Sequence, residues 1–391
     1  MNGSLTVVGG TYLEICTDPY WFELYGSGLR GAASISNFVS DIKLYSVIGE
    51  DMAKDATAIC KSFNIIPDFT QIKDTVSFSY HHPLSTPISS YSDSSESLHL
   101  TDVSSDNVLY YGMIEADVSV KGDYVIYDPQ NWAPFGDTKS IANHLALVLN
   151  KNEALMISGG EEGSNLLEIG RQLQETQRAE VVVIKNGAHG ALVFDSANIY
   201  EIPIFKTASV WPIGSGDIFS AVFACKWAVE RVGAYEAAYT ASTYTAQYCE
   251  SRVLPLGEPE KRLAISKKQK RRIYLAGPFF NMAQRWLIDE VRRCLLEFGN
   301  DVFSPYHDVG FGETKSVAAR DLEGLRKSDV ILAILDGLDA GTLFEIGYAR
   351  ALDKRVIILS ESVHKDDLLM MIGSDCEITT DFSTAIYQTS W

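Results

Sequence analysis

Glu345 is a carboxylate set in a helical pattern that is otherwise apolar or small: Leu343, Phe344, Ile346, Gly347, Ala349 and Leu352. Asp339 and Gly341 lie just ahead of it. Before them runs an apolar stretch, 330–335, short and branched enough for a buried parallel strand. Strand, acidic loop, helix: this order puts acids at the carboxyl end of a strand, where open α/β sheets bind ligands. Carboxylates there can serve as nucleophile or proton donor. By periodicity alone Glu345 also reads as a surface glutamate of an amphipathic helix.

A second set of candidates lies upstream. Gly214-Ser215-Gly216-Asp217 precedes an apolar helix pattern. Small residues let backbone N–H groups point at an anion, and a helix N-terminus adds positive potential. An Asp in the first turn could take a proton from an attacking hydroxyl. Asn150 and Glu153, two ends of the tetrad NKNE, offer oxygens that could organise Mg²⁺ through water. Taken alone, such a glycine loop is as often a plain helix entry.

The elements that must position these residues alternate. In the first part, strand patterns at 5–8, 44–48, 123–127 and 181–184 are interleaved with helical ones, the first at 32–39. Residues 75–92 alternate like a projecting hairpin or lid, with His81 and His82 at a solvated tip. The stretch 255–272 carries Pro, Gly and the basic run KRLAISKKQKRR, and reads as a solvated linker. A fresh strand, 273–276, then ends at Gly277-Pro278, followed by helical patterns near 286–298 and 320–327. We therefore expect an α/β protein of two domains, 1–255 and 272–391, joined by a linker at 256–271.

Composition sets the outer bounds. With 46% hydrophobic and 21% charged residues, the 391-residue chain can bury sizeable cores. A net charge of −18 argues against nucleic-acid or anionic-membrane partners, because phosphate needs basic surface. No apolar run is long enough for a membrane span, and the first residues carry no secretory signal pattern. The six cysteines are scattered, without CxxC or zinc spacing, and read as reduced thiols. Together these point to a cytoplasmic protein acting on small molecules.

The motifs narrow this. The first 255 residues resemble the ribokinase-like (PfkB) family of sugar and nucleoside kinases. WPIGSGDIF stands where that family has a run close to D-T-x-G-A-G-D-x-F. Asn150 and Glu153 match its N-x-x-E, KNGAHG its glycine turn, and YGSGLR part of its early glycine loop. The resemblance implies a ribokinase-like α/β sandwich with a small β lid. It implies ATP and Mg²⁺ as cofactors, Asp217 as base, and Gly214, Ser215 and Gly216 as anion hole. Asn150, Glu153 and Gly187 would then sit at the nucleotide, with Glu153 holding the metal through water. The departures are Trp211 and Pro212 in the signature, Arg30 at a sugar-contacting Asn, and Glu14 at a sugar-contacting Asp. Arg30 there could receive an anionic ligand or serve as a structural ion-pair partner.

From 271 onward the chain resembles nucleoside 2-deoxyribosyltransferases and deoxynucleoside-monophosphate N-glycosidases. The carrying runs are IYLAGPFF, ARDLEGLRKSDVILAILDG and DAGTLFEIGYARALDKRVIIL. The resemblance implies a smaller flavodoxin/Rossmann-like parallel-sheet domain that needs no cofactor. It implies Glu345 as nucleophile on the anomeric carbon, Asp339 near nucleobase or nucleophile, Asp321 at the sugar and Tyr274 positioning Glu345. Gly277, Pro278, Phe279 and Gly341 would line the substrate. Two neighbouring acids raise the pKa of one of them, so we expect Asp339 to protonate the leaving base while Glu345 stays ionised. His307, in SPYHDVGFGE, lies in a loop that could cover this pocket or be an ordinary loop histidine.

The expected protein is a bifunctional nucleoside- or nucleotide-processing enzyme that forms homo-oligomers through its C-terminal domain. Its C-terminal domain would cleave, or transfer across, an N-glycosidic bond, and its N-terminal domain would bind or phosphorylate a sugar or nucleoside. The rival reading is an NAD-type glycohydrolase effector whose kinase-like domain is a non-catalytic sensor or scaffold.

Overall fold

Branched apolar runs become the inner strands of two sheets in the structure, a computed structural model that describes residues 3–91, 98–100, 102–265, 270–310 and 312–391. Residues 266–269 of the basic run and Ser92, at the end of the expected hairpin, lie outside the described residues. The chain divides into two units, Met1–Thr207 with Trp211–Ser266 and Ala208–Val210 with Lys267–Trp391.

The first unit is built on a sheet of β1 (Ser4–Val8), β2 (Asp41–Gly49), β3 (Ile65–Ile72), β4 (Asn107–Tyr111), β5 (Val120–Asp128), β6 (Ile141–Asn150), β7 (Val181–Lys185), β8 (Ala191–Asp195) and β9 (Asn198–Ile202). Their order is β9-β8-β7-β6-β5-β4-β1-β2-β3, with the short strand Val103–Ser104 added beside β5. All pairs are parallel except β7 with β8 and β8 with β9. Alternate side chains of one strand feed two different cores: Val181 and Val183 join one, Val182 and Ile184 the other. That is why these strands lack a polar face. Helices α1 (Gly26–Ser34), α2 (Ser215–Ala224) and α3 (Ala234–Ser251) bury residues in the first core. A second sheet of Trp21–Leu24, Leu13–Cys16, Ser77–Tyr80 and Ile88–Ser89 forms the small β lid.

Three details differ from the sequence expectation. The glycine loop is already helix: α1 starts at Gly26, with φ of +66°, where a β-carbon would lie 2.7 Å from the Gly10 carbonyl oxygen. His82 is not at a solvated tip but buried, its Nδ1 accepting from the Leu84 N–H at 3.2 Å. Within the stretch read as linker, Ala264–Ile265 is a strand antiparallel to Ile204–Phe205.

The second unit has five parallel strands in the order β11-β10-β12-β13-β14: β10 (Arg272–Ala276), β11 (Asp301–Phe303), β12 (Val330–Ile334), β13 (Arg355–Leu359) and β14 (Glu377–Thr379). Helices α4 (Met282–Glu297), α5 (Thr314–Lys327) and α6 (Ala340–Ala351) supply the crossovers. Each starts with a polar cap that satisfies free N–H groups. Asn281 and Gln284 form a capping box on α4, Glu313 caps α5, and Asp339 caps α6. No described helix is long and apolar enough to cross a membrane.

Candidate active site

In the second unit, parallel pairing brings the carboxyl ends of β10, β11 and β12 to one edge of the sheet. Tyr274 lies inside β10, fully buried, its ring stacked on Phe303 with centroids 5.6 Å apart. Its hydroxyl donates to Glu345 Oε1 at 2.5 Å, joining residues 71 positions apart. Glu345 stands in the second turn of α6, half-buried, with Oε2 making no hydrogen bond among the described residues. Burial pushes its pKa up to about 7; the Tyr274 hydrogen bond opposes this, while the charges of Asp321 and Asp339 add to it. Desolvation disfavours the charge, so Glu345 holds its proton more tightly than an exposed glutamate does. The same burial, with Glu345 beside it, holds the Tyr274 hydroxyl firmly protonated.

Asp339 and Asp321 flank this pair electrostatically. Asp339 Oδ2 accepts from the Thr342 N–H at 2.8 Å and from its hydroxyl at 3.0 Å, so that oxygen is taken by the cap of α6. Gly341 fits under it, since a β-carbon there would lie 3.0 Å from Asp339 Oδ2. Asp321, on α5, has a buried Oδ1 with no hydrogen-bond partner, and burial raises its pKa against the pull of Arg320. Gly277 is packed against Ile288 and Ile334, Pro278 is buried, and Phe279 stacks between Phe280 and Tyr306 at 5.6 and 5.3 Å. Asp336 accepts from the Glu361 and Ser362 N–H groups, and Asp329 from the Arg272 N–H, so both are tied to backbone.

The first unit gathers a different set. Gly214, with φ of +76°, precedes the first residue of α2, and Asp217 lies in that helix's first turn. Arg30, 1% exposed, reaches it from α1: its Nη1 donates to Asp217 Oδ2 at 2.9 Å and to Glu14 Oε1 at 2.8 Å, and its Nη2 to Glu14 Oε2. The other oxygen of Asp217 accepts from Gln130 Nε2 at 2.8 Å. Burial alone would lower the Arg30 pKa, but Glu14, Tyr248 and Asp217 together outweigh it and keep the guanidinium charged. The guanidinium is packed on the glycine loop itself, since a β-carbon on Gly214 would lie 2.3 Å from Arg30 Nε. Ser215 opens α2, and a β-carbon on Gly216 would meet only Lys185 Nζ, at 3.4 Å. Of the two roles open to Arg30, the one seen is ion pairing.

Four residues of this cluster were not singled out in the sequence. Lys185 Nζ donates to Asp128 Oδ2 at 2.6 Å, the Ser220 hydroxyl donates to the same oxygen at 2.6 Å, and Gln130 holds Asp217. The available signals were a lysine closing the apolar run VVVI and an aspartate closing β5. Asn150 and Glu153 form a capping box on the helix Lys151–Ser158, in which the Asn150 N–H and side-chain amide occupy both carboxylate oxygens. Glu153 is buried, which raises its pKa. Each carboxylate oxygen of Glu153 thus accepts one hydrogen bond within the box, and no group of three or more His, Cys, Asp or Glu that could hold a metal ion is found among the described residues. Gly187, with φ of +50°, has open space around it.

These two constellations have counterparts. Residues 273–376 match the family model for nucleoside 2-deoxyribosyltransferase, and residues 113–250 that for pfkB family carbohydrate kinase. Each unit is similar to a different enzyme family. Among solved structures, a fructokinase from Vibrio cholerae O395 with fructose, ADP and calcium ion bound is 14% identical, with a TM-score of 0.50. That likeness covers 64% of this chain and 93% of the fructokinase, and it shows the ribokinase-like fold. A phosphofructokinase-2 from Escherichia coli in complex with potassium is 11% identical over 65% of this chain and 95% of its own, with a TM-score of 0.47. A ribokinase from Thermotoga maritima is 16% identical over 65% of this chain and 96% of its own, with a TM-score of 0.45. No curated protein matches the chain.

Proposed function

We propose that the second unit breaks the N-glycosidic bond of a nucleoside, nucleotide or nucleotide-like cofactor, with Glu345 as nucleophile. The observation that carries this is Glu345 itself: half-buried at a sheet's carboxyl edge, held through one oxygen by Tyr274, with the other oxygen free. In the first step Oε2 bonds to the anomeric carbon as the C–N bond breaks and its electron pair goes to the base. The leaving base takes up a proton, for which Asp339 and the solvent are the available donors. Water or a second base then attacks the glycosyl ester and frees Glu345. Tyr274 fixes the carboxylate, and the negative charge of Asp321, already felt by Glu345, favours the positive charge that develops on the sugar. In the test, the full chain is incubated with nucleosides, their monophosphates and NAD, and products are separated by chromatography. Free or exchanged base that vanishes in Glu345→Gln is the expected result. Base release retained in that variant would sink the reading.

A second reading concerns the first unit, and a specific observation favours it. Both oxygens of Asp217 are hydrogen-bonded, one by Arg30 and one by Gln130, so its negative charge is already paired within the fold. We read this unit as a ligand-binding module of the pfkB type without phosphoryl transfer. ATP with sugars and nucleosides should give no phosphorylated product. Product formation that is lost in Asp217→Asn would reverse that reading.

A further inference from the structure

His307 sits in a hydrogen-bonded chain that the glycosidic chemistry does not use. Its Nε2 lies 2.9 Å from Asp289 Oδ1 on α4, and its Nδ1 lies 3.1 Å from Ser304 Oγ. The order Ser–His–Asp invites a nucleophile reading, but Ser304 is only 1% exposed, which closes its hydroxyl to an incoming substrate. These hydrogen bonds instead hold the π-turn Pro305–Val309, which follows β11 at the same sheet edge as Gly277–Phe279. Two more contacts pin that turn. Asp308 Oδ2 accepts from the Ser304 N–H at 2.7 Å, and Arg320 Nη2 donates to the Asp308 carbonyl at 2.7 Å. Arg320 immediately precedes Asp321, so the turn is tied to the helix that carries a site acid.

The turn sets one aromatic ring. Tyr306 lies against Phe279 at 5.3 Å with the planes 32° apart, and Phe279 stacks on Phe280 at 5.6 Å. The Phe279 carbonyl accepts from Arg285 Nε at 2.9 Å, which fixes the other side of the wall. We propose that His307, clamped between Asp289 and Ser304, is a positioning residue that holds Tyr306 beside Phe279 and so builds an aromatic wall for a planar leaving base. The proposal rests on the reading of Glu345 as nucleophile. In one ring tautomer Nε2–H is given to Asp289 and Nδ1 accepts the Ser304 hydroxyl, so both ring nitrogens are held. A flat π-system is what such a wall selects, by offset stacking, among leaving groups on an anomeric carbon.

The test uses the full chain and variants at Asp289, whose side chain is 56% exposed. Adenine, guanine, cytosine, thymine and nicotinamide are titrated by calorimetry, and KM and kcat are measured on nucleosides or NAD carrying the base that binds. Wild type is expected to bind at least one of them. Tyr306→Ala should weaken that binding about tenfold. Asp289→Ala should weaken it about fivefold, the loss of one hydrogen bond to a charged group, and raise KM with kcat held. Asp289→Asn keeps an oxygen that accepts from Nε2–H and should restore both. The proposal falls if no base binds wild type, if Asp289→Ala binds like wild type, if Asp289→Asn is no better than Asp289→Ala, or if kcat falls while KM holds. A base that binds without any glycosidic cleavage overturns the Glu345 reading and leaves the wall standing.

Discussion

Asp217 and Glu345 are two carboxylates in the early turns of helices that border parallel sheets, and they are treated in opposite ways. Asp217 faces a buried guanidinium and an amide, so each of its oxygens is hydrogen-bonded. Glu345 faces one neutral hydroxyl and two other acids, and burial pushes its pKa up. A buried charge pair satisfies its own members and resists change, because removing either partner strands the other. A buried acid without a cation is a stronger base and keeps a free oxygen for a substrate. The comparison teaches that an acid at the right place in a fold is not yet a catalyst; what its neighbours leave open decides.

The largest effect expected from breaking this contrast is at Glu345. Glu345→Gln should lower base release by on the order of 10³-fold or more, measured as initial rates, because no second nucleophile replaces it. On the other side, Arg30→Ala should destabilise the first unit by about 3–5 kcal/mol in urea titrations, because Glu14 and Asp217 are then buried without a counter-charge. A change below 1 kcal/mol would show that the ion pair carries little of the fold.

Smaller shifts sharpen the reading of Glu345. The nucleophile must be ionised, so kcat/KM should fall as pH drops through about 7. Tyr274→Phe removes the hydrogen bond that favours the charged form, so this acidic limb should move to higher pH. Asp321→Asn removes a repelling charge, so the limb should move to lower pH. Equal or reversed movements would disprove the electrostatic account. Stability carries the same sign. The folded chain holds this proton more tightly than the unfolded chain, so its contribution is full below the unfolded value of 4.5 and is lost as pH rises through about 7. The smallest effect is at the helix cap: Asp339→Ala should cost about 1 kcal/mol of stability, read as a lower urea midpoint.

Much of this was legible in the sequence, for reasons that differ by residue. Glu345 stood out because a charge in an apolar helical pattern needs an explanation, and Asp339 because it is an acid in the loop just ahead of that helix. The strands 273–276 and 330–335 were readable because strands buried on both faces are continuous apolar runs. Tyr274 carried no such signal by itself, since a strand tyrosine is usually core. Only the parallel register of β10 and β12 carries its hydroxyl to an acid 71 residues away. Gln130, Lys185, Ser220 and Asp289 were missed for the same reason: each acts through a partner distant in the chain.

The sequence by itself determined the two-part α/β plan, the acids at strand ends and the glycine turns, because hydrophobic period and backbone freedom are local properties. The tertiary structure alone decided which acids are left available. Whether Arg30 meets a ligand or Asp217, and whether Glu345 is ionised or protonated, depends on what burial places within a few ångströms. That is a property of packed space rather than of sequence spacing.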